Sequence, residues 1–237
     1  MSTLNPAPNS GPNPGMDAET FDQFIDQLRR YVRDRLIPAE KEILETDRIP
    51  DEILNEMREM GLFGLTIPEE YGGAGMNTYQ YTQTIRELAY AMPCFRSIIS
   101  ITIGMVNSAL RNGGTEEQKA EWLPKMAAGM IVSFGLTEPG SGSDSAGMQT
   151  MAVRTGNGWV LNGTKRYITN APDAEMAINN ARDVYTRRKE GVSIWVVRSV
   201  DIAASSPSDK GPLFDPAESK VYRHPTFYDI PDDVGHM

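Results

Sequence analysis

The hydrophobic pattern changes period near Gly129, and that change limits the fold more than any composition value does. Before it, apolar residues recur at helical spacing; after it, they alternate or run in short segments bounded by Gly, Asn and Asp. A chain ordered this way is α+β. An all-helical bundle over residues 17–130 is followed by a β domain over residues 131–237, with hairpin signals that favour antiparallel pairing.

Residues 1–16 stand outside both. Pro6, Pro8, Pro12 and Pro14 with Gly11 and Gly15 deny them regular helix and much apolar burial, so they are expected to be a disordered tail. From Thr20 the residues Phe21, Phe24, Ile25, Leu28, Tyr31, Val32 and Leu36 form one apolar face, and Thr20-x-x-Gln23 reads as a capping box. Pro38 should bend this helix without ending it before Glu45. A second helix runs from Asp51 to Met60, stopped by Gly61. Leu62–Pro68 is too short and too tightly bounded for a helix and reads as a buried connector, and Glu69–Gly75 as an exposed glycine-rich loop. Helices are expected again at 77–92, 96–110 and 115–128. The middle one, nearly apolar through Ile98, Ile99, Ile101, Ile103, Met105 and Val106, reads as the buried centre of the bundle and as too short to span a bilayer.

Beyond Gly129, strands are expected at Ile131–Phe134, Thr150–Arg154, Trp159–Leu161, Arg166–Thr169 and Val192–Val197, with Asn157-Gly158 and Asn162-Gly163 as hairpin turns. Two glycine patterns imitate nucleotide motifs. Gly158-x-x-x-x-Gly163-Thr-Lys165 has Thr and Lys in the wrong order for a phosphate loop and encloses a strand, Trp159–Leu161. Gly140-x-Gly142-x-x-Ser145 lacks the third glycine and the βαβ setting of a dinucleotide fingerprint.

Composition excludes several function classes. With 23 Lys+Arg against 32 Asp+Glu the net charge is -9, and no basic stripe offsets it, so nucleic acid and anionic lipid are poor partners. His224 and His236, the only histidines, are not at zinc spacing, and no metal is expected. Cys94 is the only cysteine, so no intrachain disulfide forms and a reducing, cytoplasmic setting is the expectation. No apolar run nears the ~20 residues of a membrane span.

The chemistry is concentrated in the loop Phe134-Gly-Leu-Thr-Glu-Pro-Gly-Ser-Gly-Ser-Asp144 and in Lys165-Arg-Tyr-Ile-Thr-Asn170. Thr137, the Gly140 and Gly142 backbones, Ser143 and Asp144 bring hydrogen-bonding groups and permissive backbone into a few residues, as holding a polar planar ligand requires. The wider constellation resembles the acyl-CoA dehydrogenases, a flavoprotein family, over roughly residues 18–197. Gly64-Leu-Thr-Ile-Pro-Glu-Glu-Tyr-Gly-Gly-Ala-Gly75 and Gly113-Gly-Thr-Glu-Glu-Gln-Lys119 are similar to segments of its helical domain. Gly135-Leu-Thr-Glu-Pro-Gly-Ser-Gly-Ser-Asp-Ser-Ala-Gly147 is similar to its signature, and Asn162–Asn170 to the companion segment.

The resemblance implies a helical N-terminal domain, a barrel-like middle β domain and a C-terminal four-helix domain, with FAD held between the last two. It implies flavin contacts from Phe134, Gly135, Leu136, Thr137, Glu138, Pro139, Gly140, Ser141, Gly142 and Ser143, with Ser143 also touching the CoA substrate, and from Tyr167, Ile168 and Thr169. Many relatives carry Trp where this chain has Tyr167. It implies oxidation of an acyl-CoA to the trans-2-enoyl-CoA in fatty acid metabolism, electron delivery to an electron-transfer flavoprotein, and homo-oligomeric complete relatives. The family's base is a glutamate of the C-terminal domain. No segment of residues 1–237 is expected to correspond to that domain, so no catalytic residue is assigned, and Glu138 is expected to stabilise its own loop. Arg187-Arg-Lys-Glu190 reads as a solvated loop, and residues after about 198 match no expected strand, which suggests a truncated or frame-altered chain. The alternative function is a catalytically silent fragment or a flavin and acyl-CoA binding module. An oxidase would differ by passing electrons to oxygen.

Overall fold

The computed structural model describes residues 13–155, 158–171, 173–183 and 192–198. They divide into two compact units, Met1–Asn112 with Glu116–Ile131, and Gly113–Thr115 with Val132–Met237.

The first unit is helical. Its opening helix, α1 (Ala18–Tyr31), is capped not by Thr20 but by Asp17, whose carboxylate accepts from the Thr20 N–H at 2.9 Å and the Thr20 hydroxyl at 2.6 Å. The chain stays helical through a π segment (Val32–Leu36) into α2 (Ile37–Thr46). Pro38 has no N–H to continue the α ladder, and the wide turn before it absorbs the mismatch, so the helix is not interrupted. Next, α3 (Asp51–Glu59) ends as the sequence requires. Gly61 takes φ 69°, its N–H reaches the Arg58 carbonyl at 2.9 Å, and the Leu62 N–H reaches the Met57 carbonyl at 3.1 Å, a Schellman stop.

The connector behaves as expected, with Leu62, Phe63 and Ile67 fully buried. The loop after it does not stay exposed. Its second half folds back so that Ala74 N bonds Gly64 O at 2.9 Å, Gly75 N bonds Ile67 O at 2.9 Å and Met76 N bonds Leu65 O at 2.8 Å. Glycine at 73 permits this approach, since a Cβ there would lie 2.0 Å from the Ile67 carbonyl oxygen. The expected tail is anchored in part as well. Asn13 Nδ2 donates to Thr66 O (2.7 Å) and Met76 O (3.0 Å), Gly15 N to Gly75 O (3.1 Å), and Gln80 exchanges bonds with both backbone groups of Met16.

Helix α4 (Thr78–Leu88) starts at an Asn77 cap, and α7 (Glu116–Ala127) starts one residue after Thr115. Between them α5 (Pro93–Ser100), a π segment (Ile101–Val106) and α6 (Asn107–Gly113) make one continuous helix. At 21 residues it is longer than expected and has the length and apolarity of a membrane span. Phe95, Ile99, Val106 and Leu110 are nonetheless fully buried, and Phe95 and Ile99 join the core of Leu28, Leu36, Met57 and Leu88. The bundle interior accounts for its apolarity.

The second unit departs from the antiparallel, barrel-like expectation. Strands β1 (Val132–Gly135), β2 (Met151–Thr155), β3 (Gly158–Asn162), β4 (Met176–Asp183) and β5 (Val192–Arg198) form one mixed sheet. Only β2 with β3 and β4 with β5 are antiparallel, while β4 runs parallel to β1 and to β2. The β2–β3 register closes at Thr155 opposite Gly158, so the two strands pair as a hairpin, but Gly158 is the first residue of β3 and not a turn residue as read at Asn157-Gly158. Asn162-Gly163 does not make a second hairpin, because the chain leaves β3 into a loop. The Arg187–Glu190 run and the residues after 198 lie outside the described residues.

Candidate functional site

From the end of β1 the chain turns within four residues. Glu138 N bonds Ser141 O at 2.9 Å and Ser141 N bonds Glu138 O at 3.2 Å, enclosing Pro139 and Gly140 at positions suited to them. The Ser141 hydroxyl then donates to the Asp144 carbonyl at 2.5 Å, and Asp144 Oδ1 accepts from Gly147 N at 3.2 Å, starting a short 3₁₀ turn (Ser145–Gly147).

The turn is fastened from inside by one carboxylate. Glu138 is buried, and its two oxygens accept from Gln149 N (2.5 Å), Thr150 N (3.0 Å) and Lys165 Nζ (2.8 Å). Lys165 Nζ also donates to Leu136 O at 3.2 Å. Burial works to raise the Glu138 carboxyl, but the Lys165 ammonium and the two backbone N–H groups outweigh it and bring the pKa down to about 2. Glu138 is therefore a structural pin. Its carboxylate holds Gln149 N, Thr150 N and Lys165 Nζ together, which agrees with a role in its own loop.

The companion segment lies alongside. Arg166 N donates to Thr137 O at 2.8 Å, and Asn170 Nδ2 to Val132 O at 3.1 Å, so residues 166–170 run antiparallel to 132–137. They are not the expected strand. Tyr167 and Asn170 adopt φ of 58° and 67°, which breaks a β ladder after one bond. The left-handed turn carries the Tyr167 ring outward, 79% exposed, with the Arg166 guanidinium 4.5 Å from its centroid.

The structure thus brings together both sets of sequence-selected residues. Phe134, Gly135 and Leu136 lead into the turn. Pro139, Gly140, Gly142 and Ser143 form its exposed rim, with Thr137 partly buried behind it. Tyr167 and Thr169 are exposed and Ile168 is half-buried. Among the described residues the N–H groups of Gly140, Gly142 and Ser143 make no hydrogen bond, and a Cβ at either glycine would meet nothing within 4 Å. That is an open rim of backbone donors. Sequence reasoning missed the Lys165–Glu138 pair. Its signal was present, since an acid inside one motif and a base inside the other must be paired if both are buried.

Comparison with known proteins identifies the fold. Residues 18–130 match the model of the acyl-CoA dehydrogenase N-terminal domain. The chain is 32% identical over 171 residues to an acyl-CoA dehydrogenase of Bacillus subtilis, covering 72% of this chain and 45% of that protein. Residues 18–130 belong to the acyl-CoA dehydrogenase family.

Among solved structures of this likeness, glutaryl-CoA dehydrogenase from Mycobacterium smegmatis in complex with FADH2 superposes with a TM-score of 0.69 at 36% identity, covering 78% of this chain and 46% of that one. The electron transferring flavoprotein of Acidaminococcus fermentans gives a TM-score of 0.71 at 29% identity, with coverages of 78% and 50%. The chain spans half or less of the length of these acyl-CoA dehydrogenase relatives and structures.

A second family enters within the β unit. Residues 162–235 match the model named phenylacetic acid degradation B. The chain is 66% identical over 67 residues to the B component of the 1,2-phenylacetyl-CoA epoxidase of Escherichia coli, covering 28% of this chain and 70% of that protein. The stretch expected to have no counterpart therefore belongs to this second family. Strands β4 and β5 lie within it, and β4 approaches the start of the acyl-CoA dehydrogenase signature closely: a Cβ at Gly135 would stand 2.2 Å from Asn179 Oδ1, across the β1–β4 pair.

Proposed function

We propose that the loop Phe134–Ser143 and the segment Tyr167–Thr169 are one wall of an FAD site. The observation that carries this reading is the bond from Arg166 N to Thr137 O, which joins the two motifs into one surface. The residues fit the group. The N–H donors of Gly140, Gly142 and Ser143, unpaired among the described residues, suit a pyrophosphate, the Thr137 and Thr169 hydroxyls suit the polar edge of a flavin, and the outward Tyr167 ring suits one aromatic face. Ser143, on the exposed rim, is also the residue assigned to the CoA portion of the substrate.

On this reading the chain serves the oxidation of an acyl-CoA thioester to its trans-2-enoyl-CoA, with electrons passing to an electron-transfer flavoprotein in a cytoplasmic setting. Bound FAD supplies the hydride acceptor; the protein's own groups orient it and exclude water from the wall they form. Removal of the α-proton needs a base held against the same substrate pose. Glu138 is unsuited to that role, because its carboxylate is buried beneath the turn and holds Lys165 Nζ and two backbone N–H groups, which keep its pKa far below that of a base.

The phenylacetic acid degradation B match favours a second reading. A chain that follows the flavin loop with a segment similar to an epoxidase component could bind FAD and a CoA thioester without turning the thioester over. Both relatives are named for CoA thioesters, so the substrate class is shared. The two readings separate in one assay. Enoyl-CoA formation from butyryl-CoA by the purified chain, with FAD and an artificial electron acceptor, supports the dehydrogenase; FAD binding without product supports the binding module.

A further inference from the structure

One ammonium grips the chain on both sides of Thr137. Lys165 Nζ donates to the Leu136 carbonyl at 3.2 Å and to the Glu138 carboxylate at 2.8 Å, and the N–H of the next residue, Arg166, takes the Thr137 carbonyl at 2.8 Å. Three consecutive residues of the loop are thus fastened by two consecutive residues of the companion segment. The Lys165 side chain is only 11% exposed, and its stem packs against β1 at Gly135, where a Cβ would come within 3.3 Å of Lys165 Cγ. A cation withdrawn from water this far, with a carboxylate and a carbonyl as its acceptors, is held in one place.

The grip leaves the Thr137 side chain free. Among the described residues its hydroxyl makes no hydrogen bond, and it is not one of the sealed, unpartnered side-chain oxygens, which are those of Thr102, Asn107 and Thr150. The hydroxyl of a partly buried residue therefore reaches the surface. Threonine is stiff at χ1, so the backbone at 136–138 decides where that hydroxyl points. A hydrogen bond weakens steeply with misalignment, and a donor held in place before binding loses less freedom when the ligand arrives. We infer that Lys165 is a positioning residue for the cofactor: by gripping Leu136 and Glu138 it fixes the Thr137 hydroxyl in the direction that meets the polar edge of FAD. This inference rests on the FAD reading of the site.

The test is FAD titration of the full chain, read by flavin fluorescence and visible absorbance, on the wild type, on Thr137→Val, on the pair Lys165→Met with Glu138→Gln, and on all three substitutions together. The pair removes both buried charges at once and should leave the β unit folded, which urea unfolding checks. It should bind FAD at least about tenfold more weakly, with the spectral shift of the bound flavin reduced to that of Thr137→Val. Adding Thr137→Val to the pair should cost less than about twofold more, because the hydroxyl is already misdirected. Lys165→Arg is the second variant, chosen because it preserves the buried ion pair. Its planar fork replaces the single nitrogen that reaches both acceptors, so stability should stay near wild type while FAD binds at least about threefold more weakly. Wild-type affinity in either folded variant, or losses from the pair and from Thr137→Val that simply add, would overturn the positioning role and leave the FAD reading standing. A wild-type chain that does not bind FAD would overturn both.

Discussion

Lys165 Nζ lies 2.8 Å from Glu138 Oε1, and both side chains are almost completely withdrawn from solvent. The pair couples the turn Glu138–Ser141 to the segment Arg166–Asn170. Removing one partner leaves an uncompensated buried charge, which costs about 3–5 kcal/mol, whereas removing both costs less. Lys165→Met should therefore destabilise the β unit strongly in urea unfolding, and Lys165→Met combined with Glu138→Gln should recover part of the loss. Additive losses in the double variant would mean that the two groups do not interact.

The same pair predicts a pH dependence. The Glu138 carboxyl is held at about 2, below its ordinary 4.5, so the unfolded chain binds the extra proton first. Its contribution to stability is complete above about pH 4.5 and is lost as pH falls toward 2. Glu138→Gln should flatten the stability profile in that window and leave its slope above pH 5 unchanged.

Gly73 and Gly104 should respond oppositely to alanine. At Gly73 the added Cβ would lie 2.0 Å from the Ile67 carbonyl oxygen, a backbone atom that cannot give way without breaking the Gly75 N–Ile67 O bond. Gly73→Ala should cost about 2–3 kcal/mol. Gly104 is helical, and a Cβ there would meet the Tyr81 hydroxyl at 3.6 Å, an ordinary contact, so Gly104→Ala should be neutral or stabilise by up to about 1 kcal/mol. Thermal unfolding of both variants reads the contrast.

Asp17 caps the first helix through two bonds to Thr20. Asp17→Ala should cost about 1 kcal/mol, and Gln23→Ala, the other half of the capping box read from sequence, much less. Equal losses would return the cap to Thr20.

The sequence disclosed most of the helical unit because its signals are local. Gly61 stops α3, Asn77 starts α4, and apolar spacing marks the faces of α1 and α5 that are buried. Two features there were hidden because tertiary contacts decide them: residues 13–16 are anchored by Thr66, Gly75, Met76 and Gln80, far along the chain, and Pro38 is tolerated through a π turn. In the β unit the strand segments were legible but their pairing was not. Parallel β1–β4 and β2–β4 contacts join residues some thirty or more positions apart, and no turn between them announces the register. Arg166–Thr169 has strand composition, yet bonds at both of its ends impose left-handed residues at 167 and 170. The residues of the candidate site were readable one by one; the carboxylate pin beneath them required the fold.

The most direct test of the account is a titration of FAD with the 237-residue chain, followed by flavin fluorescence and by visible absorbance. The account predicts saturable quenching with a shifted flavin spectrum, weakened by Thr169→Ala in the companion segment and by Gly142→Val in the rim, each at an exposed position that leaves the Glu138–Lys165 pin in place. Unchanged FAD spectra at saturating protein, with the chain folded by circular dichroism, would contradict it.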